Sequence, residues 1–168
     1  YLNFYKRQYG LDFTVLRYAN VYGPRQIPQG EAGVAAIFIE KLIGGDLPTI
    51  YNYEGEPDGM QRDYCYVEDI VEANSLAISN GPGGAFNIGT GAMTRTLELY
   101  KIILGLLREK GYALSPEYDS PLRGAARAGD LRRSCLDIKK AEKILGWRST
   151  HKIRDGIAKT LSYQLSKL

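Results

Sequence analysis

The segment FTVLRYANVYG, residues 13–23, is rich in β-branched and aromatic residues and predicts a β-strand that ends at the turn pair Gly23-Pro24. A run of good helix formers, GVAAIFIEKLIGG at 33–45, follows it and stops at two glycines. Strands that alternate with helices are typical of α/β proteins. This stretch therefore decides the fold class.

The alternation continues on both sides of this segment. Residues 1–9 predict the end of a helix that stops at Gly10, and the helix at 68–80 is expected to turn Ile70, Val71, Ala73, Asn74 and Ala77 towards one side. Other helices are predicted at 96–111, at 137–147 with Asp137 as N-cap and Gly146 as its stop, and at 153–168, where Gly156 weakens the middle. Strands are predicted at 47–51, 62–67 and 85–89, and the segment 113–118 is compatible with another strand.

Length and composition point to an ordinary globular chain. The 168 residues suffice for one domain, or for a domain and part of another, and 44% hydrophobic with 24% charged residues are globular values. No apolar run approaches ~18 residues and no signal-peptide pattern is present, so a soluble, cytoplasmic protein without a membrane partner is expected. Because the chain begins in mid-pattern with Tyr1 instead of Met, we expect a fragment or a processed chain.

The basic residues are densest in RGAARAGDLRRS, residues 123–134, within a chain of net charge +3. Such a run is either a solvated loop or a site for a small phosphorylated ligand, because arginine suits phosphate geometry. No basic stripe is interleaved with aromatic residues, so no nucleic-acid partner is expected.

Cysteine and histidine are too sparse for a metal centre. Cys65 and Cys135 lie far apart, and Cys65 falls in an alternating apolar stretch that predicts a buried strand thiol. The single histidine, His151, lies beside Lys152 in a polar stretch and is interpreted as a surface residue. We therefore expect neither a disulfide framework nor a metal site.

A dinucleotide-phosphate loop is missing. The segment Gly89-Thr90-Gly91 follows a strand and precedes a helix, but the next residues, Ala92, Met93 and Thr94, do not complete the glycine fingerprint. The sequence therefore predicts that this chain does not contain its own dinucleotide-phosphate loop.

Six segments in fixed order nevertheless resemble one family: LRYANVYGPRQ, GEAGVAAIFIEKL, QRDYCYVEDI, FNIGTG, RAGDLRRSCLD and AEKILGW. The chain is similar to the C-terminal half of the extended short-chain dehydrogenase/reductases that act on nucleotide sugars, the NAD-dependent epimerase/dehydratase family. Within that family the similarity is greatest to the UDP-glucose 4-epimerases. The resemblance extends from Tyr1 to about Leu165.

The resemblance implies an α/β fold made of the last strands of a Rossmann-type parallel sheet and a small α/β substrate-binding lobe. Residues 1–168 would be the substrate-binding half, with 1–23 and 68–91 as remnants of the Rossmann core and the N-terminal NAD-binding part absent. Because a truncated sheet has an unpaired edge, we expect the isolated chain to self-associate or to have lost a partner half.

The resemblance also implies a pocket for a sugar nucleotide. Arg62 and Arg127 correspond to arginines on either side of the diphosphate, which two always-charged guanidinium forks would neutralise. Asp130 corresponds to a carboxylate that accepts hydrogen bonds from the ribose, and Tyr51 to an aromatic residue packed on uracil. Thr49 lies one strand step away, on the same face or with its backbone towards the base.

Four further residues complete the implied site. Asn20 corresponds to a polar group near the substrate phosphates, and Gly33 and Val34 begin a helix whose first amides face the diphosphate. Tyr18 corresponds to a residue beside the nicotinamide. No catalytic residue is assigned: the family's Tyr-x-x-x-Lys pair would lie before Tyr1, and within 1–10 no tyrosine has lysine four positions later.

Structural interpretations of the same residues stay open. Arg62 is also compatible with a surface ion pair to Asp63 or Glu68, and Tyr51 with plain packing. Asp130 is also compatible with loop capping. Asp69 is interpreted as capping and helix-dipole support and Trp147 as a core anchor, and the loop at 51–61 is a few residues longer than the family's usual turn.

The predicted function is therefore the sugar-nucleotide-binding half of an NAD-dependent UDP-glucose 4-epimerase-like isomerase, not catalytic alone. In the parent enzyme UDP would be held while the sugar turns and changes configuration at C4. A related dehydratase, decarboxylase or uronate epimerase shares most of these motifs and remains an alternative, as does a stand-alone UDP-sugar-binding module without chemistry.

Overall fold

The computed structural model describes residues 1–28, 33–81 and 83–167. Helices alternate with short strands along these ranges. The helices are α1 (Leu2–Tyr9), α2 (Val34–Gly44), α3 (Val67–Asn80), α4 (Thr96–Glu109) and α5 (Ile153–Leu165). The strands are β1 (Thr14–Tyr18), β2 (Asn20–Tyr22), β3 (Thr49–Asn52), β4 (Gln61–Arg62), β5 (Tyr64–Tyr66), β6 (Gly84–Ile88), β7 (Thr94–Arg95), β8 (Leu122–Ala125) and β9 (Arg133–Ser134). A 3-10 turn at Pro116–Asp119 and a π-helical turn at Ala141–Leu145 complete the elements.

Most strand pairs in the described chain are parallel. β1 pairs with β6, β2 with β5, β3 with β8 and β4 with β9, all parallel, while β4 and β7 are antiparallel. Parallel neighbours need crossover connections, which the helices supply. The predicted α/β class is thereby confirmed.

The single strand predicted at 13–23 is wrong in one respect, because it divides at Ala19. Up to Tyr18 the chain follows β6, and from Asn20 it follows β5. The amide of Ala19 still donates to the carbonyl of Ile88 at 2.8 Å, while the amide of Asn20 donates to the carbonyl of Asp63 at 2.9 Å. The change of partner, which depends on distant residues, divides the strand.

Two apolar clusters hold these elements together. The larger lies between α2, α4 and α5 and includes Phe38, Ile103 and Leu161. The smaller joins β5, β6, α3 and the π-helical turn; its members include Cys65 and Trp147, both of which are buried. The predicted buried thiol and core anchor are confirmed.

Three predictions about local structure are corrected. Residues 116–119, which overlap the stretch 113–118 that was compatible with a strand, form a 3-10 turn, because Pro116 fixes φ and Tyr118 packs into the core. The helix predicted at 137–147 is largely π-helical, although Gly146 ends it as expected. Val71, expected on the inner side of α3, is 59% exposed, whereas Ile70 and Ala73 are buried.

The helix α1 and the strand β1 lie at one end of the described chain. No residue of α1 is buried, and its large side chains Leu2, Phe4, Tyr5 and Tyr9 are exposed. Self-association of the isolated chain stays a prediction. Among the described residues, no helix combines the length and the apolarity that crossing a bilayer requires.

Candidate functional site

A cleft of about 440 Å³ opens between the start of α2, the strands β2 to β5 and the turn at 127–130. The eight predicted substrate-binding residues all line it: Asn20, Gly33, Val34, Thr49, Tyr51, Arg62, Arg127 and Asp130. These positions span more than a hundred residues of sequence, so the tertiary fold is what brings them together. Their roles stay predictions.

One wall of the cleft is the N-terminus of α2. Gly33 is the N-cap residue and Val34 the first helical residue. The first amides of a helix have no intrahelical acceptor, and with the helix dipole they favour an anion in front of them. Asn20, the exposed first residue of β2, lies on the same cleft.

Another wall of the cleft contains Thr49 and Tyr51 of β3, which pairs with β8. Thr49 and Tyr51 alternate with Ile50, which is buried on the other face of the strand. Tyr51 is paired in register with Gly124, where a side-chain β-carbon would lie only 2.9 Å from the Tyr51 ring. Glycine therefore lets the ring lie flat against β8, leaving Tyr51 39% exposed.

Two arginines reach the cleft without a carboxylate partner among the described residues. Arg62 donates from Nη1 to the carbonyl of Gln61 at 3.0 Å, and the Arg127 guanidinium lies 5.4 Å from the centre of the Tyr51 ring. The surface pairing considered for Arg62 does not occur in the described chain, since Asp63 and Glu68 bind other partners. The cleft therefore presents two guanidinium groups that are available to an anion.

Asp130 shows the loop capping that was considered for it and also lines the cleft, while its role towards ribose stays a prediction. Its Oδ2 accepts a hydrogen bond from the Arg127 amide at 3.1 Å, which is ordinary turn capping, and the residue also lines the cleft. The other carboxylate oxygen is left for an external donor such as a ligand hydroxyl.

Tyr18, the predicted cofactor-binding residue, lies apart from the cleft. Its hydroxyl donates to Oδ1 of Asn74 at 2.9 Å, and it lines a shallow groove along β1 and α3. Nothing in the described contacts tests its role beside nicotinamide, which stays a prediction.

Gln26 is a cleft residue that the sequence interpretation did not select. Its Nε2 donates to the carbonyl of Val21 at 3.1 Å, whereas its buried Oε1 has no partner within the described residues. A buried acceptor without a donor is unfavourable and suits a ligand N–H or O–H. Because glutamine in a turn is common, no sequence signal distinguished this position.

The glycine turn after β6 does not fit the diphosphate of a dinucleotide. The buried carboxylate of Asp63 accepts hydrogen bonds from the amides of Thr90 and Gly91 at 2.8 and 3.1 Å. These are the amides that a phosphate-binding turn would offer to its ligand. The described residues therefore do not fit the NAD diphosphate at this turn.

His151 and Asp69 correct two further interpretations. His151 is not a surface residue: Nδ1 lies 2.8 Å from Oδ1 of Asp69, and the imidazole packs 4.7 Å from the ring of Tyr66. Asp69, which is 1% exposed, lies in the first turn of α3, as the expected helix-dipole support requires, but its carboxylate binds the amides of Thr150 and His151 and does not cap that helix. Residues more than eighty positions apart make these contacts, so local sequence could not indicate them.

Burial and hydrogen bonds shift the pKa values of titratable groups near these sites. Burial by itself would raise the pKa of Asp69, but hydrogen bonds from His151 and Thr150 outweigh it and hold that pKa below its ordinary value. Burial raises the pKa of the Cys65 thiol to about 12, so this cysteine is no nucleophile near neutral pH. The described residues contain no group of three or more His, Cys, Asp or Glu suited to a metal ion.

Comparison with known proteins adds relatives to this geometry. The family model described as the NAD dependent epimerase/dehydratase family matches residues 1–89. UDP-glucose 4-epimerase of Mycolicibacterium smegmatis is 43% identical over 99% of this chain and 50% of its own length. A putative UDP-glucose 4-epimerase of Methanocaldococcus jannaschii is 42% identical over 97% of the chain and 49% of its own length. The chain spans about half the length of the curated relatives it matches.

Solved structures agree with these relatives. UDP-glucose 4-epimerase of Thermotoga maritima, solved with UDP-glucose, superposes with a TM-score of 0.86 at 43% identity, over 99% of this chain and 50% of that one. The Thermus thermophilus UDP-glucose 4-epimerase, in complex with NAD, gives a TM-score of 0.83 at 37% identity, over 100% of this chain and 51% of that one. The predicted partial fold is therefore confirmed at the level of fold class.

Proposed function

The chain belongs to the NAD dependent epimerase/dehydratase family, and on that premise we propose that it is the sugar-nucleotide-binding part of an enzyme like the UDP-glucose 4-epimerases. The relatives at 43% and 42% identity, one of them named a putative enzyme of this kind, support that choice within the family. The observation that carries the proposal is the cleft with two available arginines beside a helix N-terminus.

The cleft chemistry suits a nucleoside diphosphate. Arg62 and Arg127 supply two planar, permanently charged donor groups, and the first amides of α2 add partial positive charge. Tyr51 offers an aromatic face to a base, and Asp130 offers an acceptor to ribose hydroxyls. The positive charge of the cleft therefore suits a diphosphate of about two negative charges.

The positions of the charged groups indicate which part of the sugar nucleotide this chain would bind firmly. The charged groups described in this cleft suit the nucleotide, and the hexose itself carries no charge that they would grip. Firm binding of UDP would leave the sugar free to turn and to present either face of C4. Because the glycine turn after β6 does not fit the NAD diphosphate, we assign the sugar nucleotide to this cleft and the NAD diphosphate to residues outside it.

Calorimetric titration of the full-length protein with UDP tests the binding site. We expect Arg62→Ala and Arg127→Ala each to weaken UDP binding by roughly tenfold or more, because each lost charge-assisted contact costs about 1.5–3 kcal/mol. Arg148, exposed and outside the cleft, provides the matched control, and Arg148→Ala should bind UDP as the wild type does.

Turnover tests the reaction. The full-length protein, supplied with NAD and UDP-galactose, should form UDP-glucose, with KM raised in both cleft variants and unchanged in Arg148→Ala. Equal UDP affinity in the wild type and in the two cleft variants would refute the site. UDP binding without any product would favour a binding module, and dehydration or decarboxylation of a sugar nucleotide would favour the related enzymes.

A further inference from the structure

Among the described residues, the segment 127–131, which brings Arg127 and Asp130 to the cleft, has backbone hydrogen bonds to the rest of the chain only on either side of it. Before it, the amide of Ala126 donates to the carbonyl of Asn52 at 3.0 Å; after it, the carbonyl of Arg132 accepts from the amide of Gln61 at 2.9 Å. Between those bonds, Arg127 and Asp130 bond each other within the turn. The turn therefore needs support from side chains to keep a fixed position.

Tyr53 supplies that support from the long loop at 51–61. Its hydroxyl donates to the carbonyl of Asp130 at 2.6 Å, the one hydrogen bond to the turn from a side chain outside it among the described residues. The guanidinium of Arg132 lies 4.1 Å from the centre of the Tyr53 ring, a cation–π distance.

The loop fixes Tyr53 in turn. The amide of Glu56 donates to the carbonyl of Tyr53 at 3.0 Å, which closes a tight turn, and Oε1 of Glu56 accepts from Nη1 of Arg132 at 3.1 Å. Arg132 is thus held between an aromatic ring and a carboxylate of the same loop. The rings of Tyr51 and Tyr53, two residues apart, each pack against an arginine of the basic segment 123–134: Tyr51 against Arg127 and Tyr53 against Arg132.

We propose that Tyr53 is a positioning residue of the nucleotide site, which fixes the segment 127–132 through its hydroxyl and its ring so that Arg127 and Asp130 face the cleft. The inference rests on the proposed function. Tyr53 does not line the cleft, so its effect passes through the residues that it contacts.

Tyr53→Phe tests the role of the hydroxyl, since it retains the ring beneath Arg132. In the full-length protein we expect UDP to bind about three- to tenfold more weakly, the effect of one lost hydrogen bond, and KM to rise with kcat unchanged. Trypsin should also cleave faster after Arg127 and Arg132, a readout of segment order that needs neither substrate nor cofactor.

Tyr118→Phe is the matched control. Its hydroxyl also donates to a carbonyl, that of Gly45 at 2.7 Å, but outside the cleft. It should lower the unfolding temperature by a similar amount and leave both UDP affinity and cleavage after Arg127 unchanged. In an Arg127→Ala background, Tyr53→Phe should weaken binding less than it does in the wild type, because part of what it positions is gone.

The outcomes separate this inference from the proposed function. If the wild type does not bind UDP, the proposed function fails. If the wild type binds and Tyr53→Phe binds equally well, only the positioning role of Tyr53 is refuted. An equal loss of affinity in Tyr53→Phe and Tyr118→Phe, or a loss that is fully additive with Arg127→Ala, would also refute it, because general destabilisation would then be the cause.

Discussion

The carboxylate of Asp63 accepts two hydrogen bonds from Thr90, one from the amide at 2.8 Å and one from the hydroxyl at 2.6 Å. Asp63 lies between β4 and β5, while Thr90 follows β6. The contact therefore connects the turn after β6 to the junction between β4 and β5. Gly91 adds its amide at 3.1 Å. Because Asp63 is the neighbour of Arg62, the same contact fixes the backbone that presents Arg62 to the cleft.

Replacement of this carboxylate should destabilise the protein. We expect Asp63→Asn to lower the free energy of unfolding by about 2–4 kcal/mol, since a buried carboxylate with several charge-assisted bonds becomes an amide that faces backbone amides. Urea unfolding measures the change. Asp46→Asn, at an exposed position, is the control and should stay within about 0.5 kcal/mol of the wild type; an equally small change for Asp63→Asn would contradict the prediction.

Gly156 should resist the substitution that usually strengthens a helix. Within α5, a β-carbon at this position would lie 2.2 Å from the hydroxyl of Tyr22, a core residue. We therefore expect Gly156→Ala to destabilise the protein by about 1–3 kcal/mol through overpacking, although helix propensity alone favours alanine. The sequence interpretation of Gly156 as a simple weakness of the helix thus misses its packing role.

Gly105 supplies the control for that experiment. It lies within α4, and a β-carbon there would meet nothing within 4 Å. Gly105→Ala should raise stability by about 0.5–1 kcal/mol, as helix propensity predicts. In thermal unfolding, the two variants should therefore change the unfolding temperature in opposite directions. Stabilisation by Gly156→Ala would contradict the prediction and show that the residues around Tyr22 rearrange to make room for the methyl group.

The pair of Asp69 and His151 predicts a loss of stability in acid. The pKa of Asp69 is lower in the folded protein than in the unfolded chain, so its contribution is fully present above the unfolded pKa, about 3.9. That contribution is lost as pH falls through the lower, folded pKa. The difference in unfolding free energy between the wild type and Asp69→Asn should therefore have its full value above about pH 5 and shrink below about pH 4.

Thr150→Val tests the cause of that pKa shift. The Thr150 hydroxyl donates to Oδ1 of Asp69 at 2.9 Å, and its removal leaves the contact of Asp69 with His151. We expect the acid-dependent loss of stability to be smaller than in the wild type but still present. If the unfolding free energy of the wild type does not change between pH 5 and pH 3, the lowered pKa of Asp69 is refuted, because a pKa that differs between the folded and unfolded states makes stability depend on pH.

Several local features followed from residue patterns because neighbouring residues cause them. Gly10, Gly45 and Gly146 each adopt positive φ and end a helix or a helical turn, as glycine is suited to do. The amphipathic α4 runs from Thr96 to Glu109, close to its predicted range. The candidate site came differently, from a family resemblance that nominated the cleft residues, whereas charge distribution alone pointed only to the arginine-rich segment 123–134 as one of two interpretations.

By itself, the sequence indicated the α/β class, the approximate positions of α1 to α5 and, through recognisable motifs, the residues nominated for the pocket, because these depend on local chemistry and on family resemblance. Only the tertiary structure decided where β1 gives way to β2, that Asp63 occupies the glycine turn, and that His151 lies against Asp69. It also decided that Tyr53 reaches Asp130 from a loop 77 residues away. Such contacts join residues distant in sequence, and no local pattern of residues indicates which buried polar groups will contact each other.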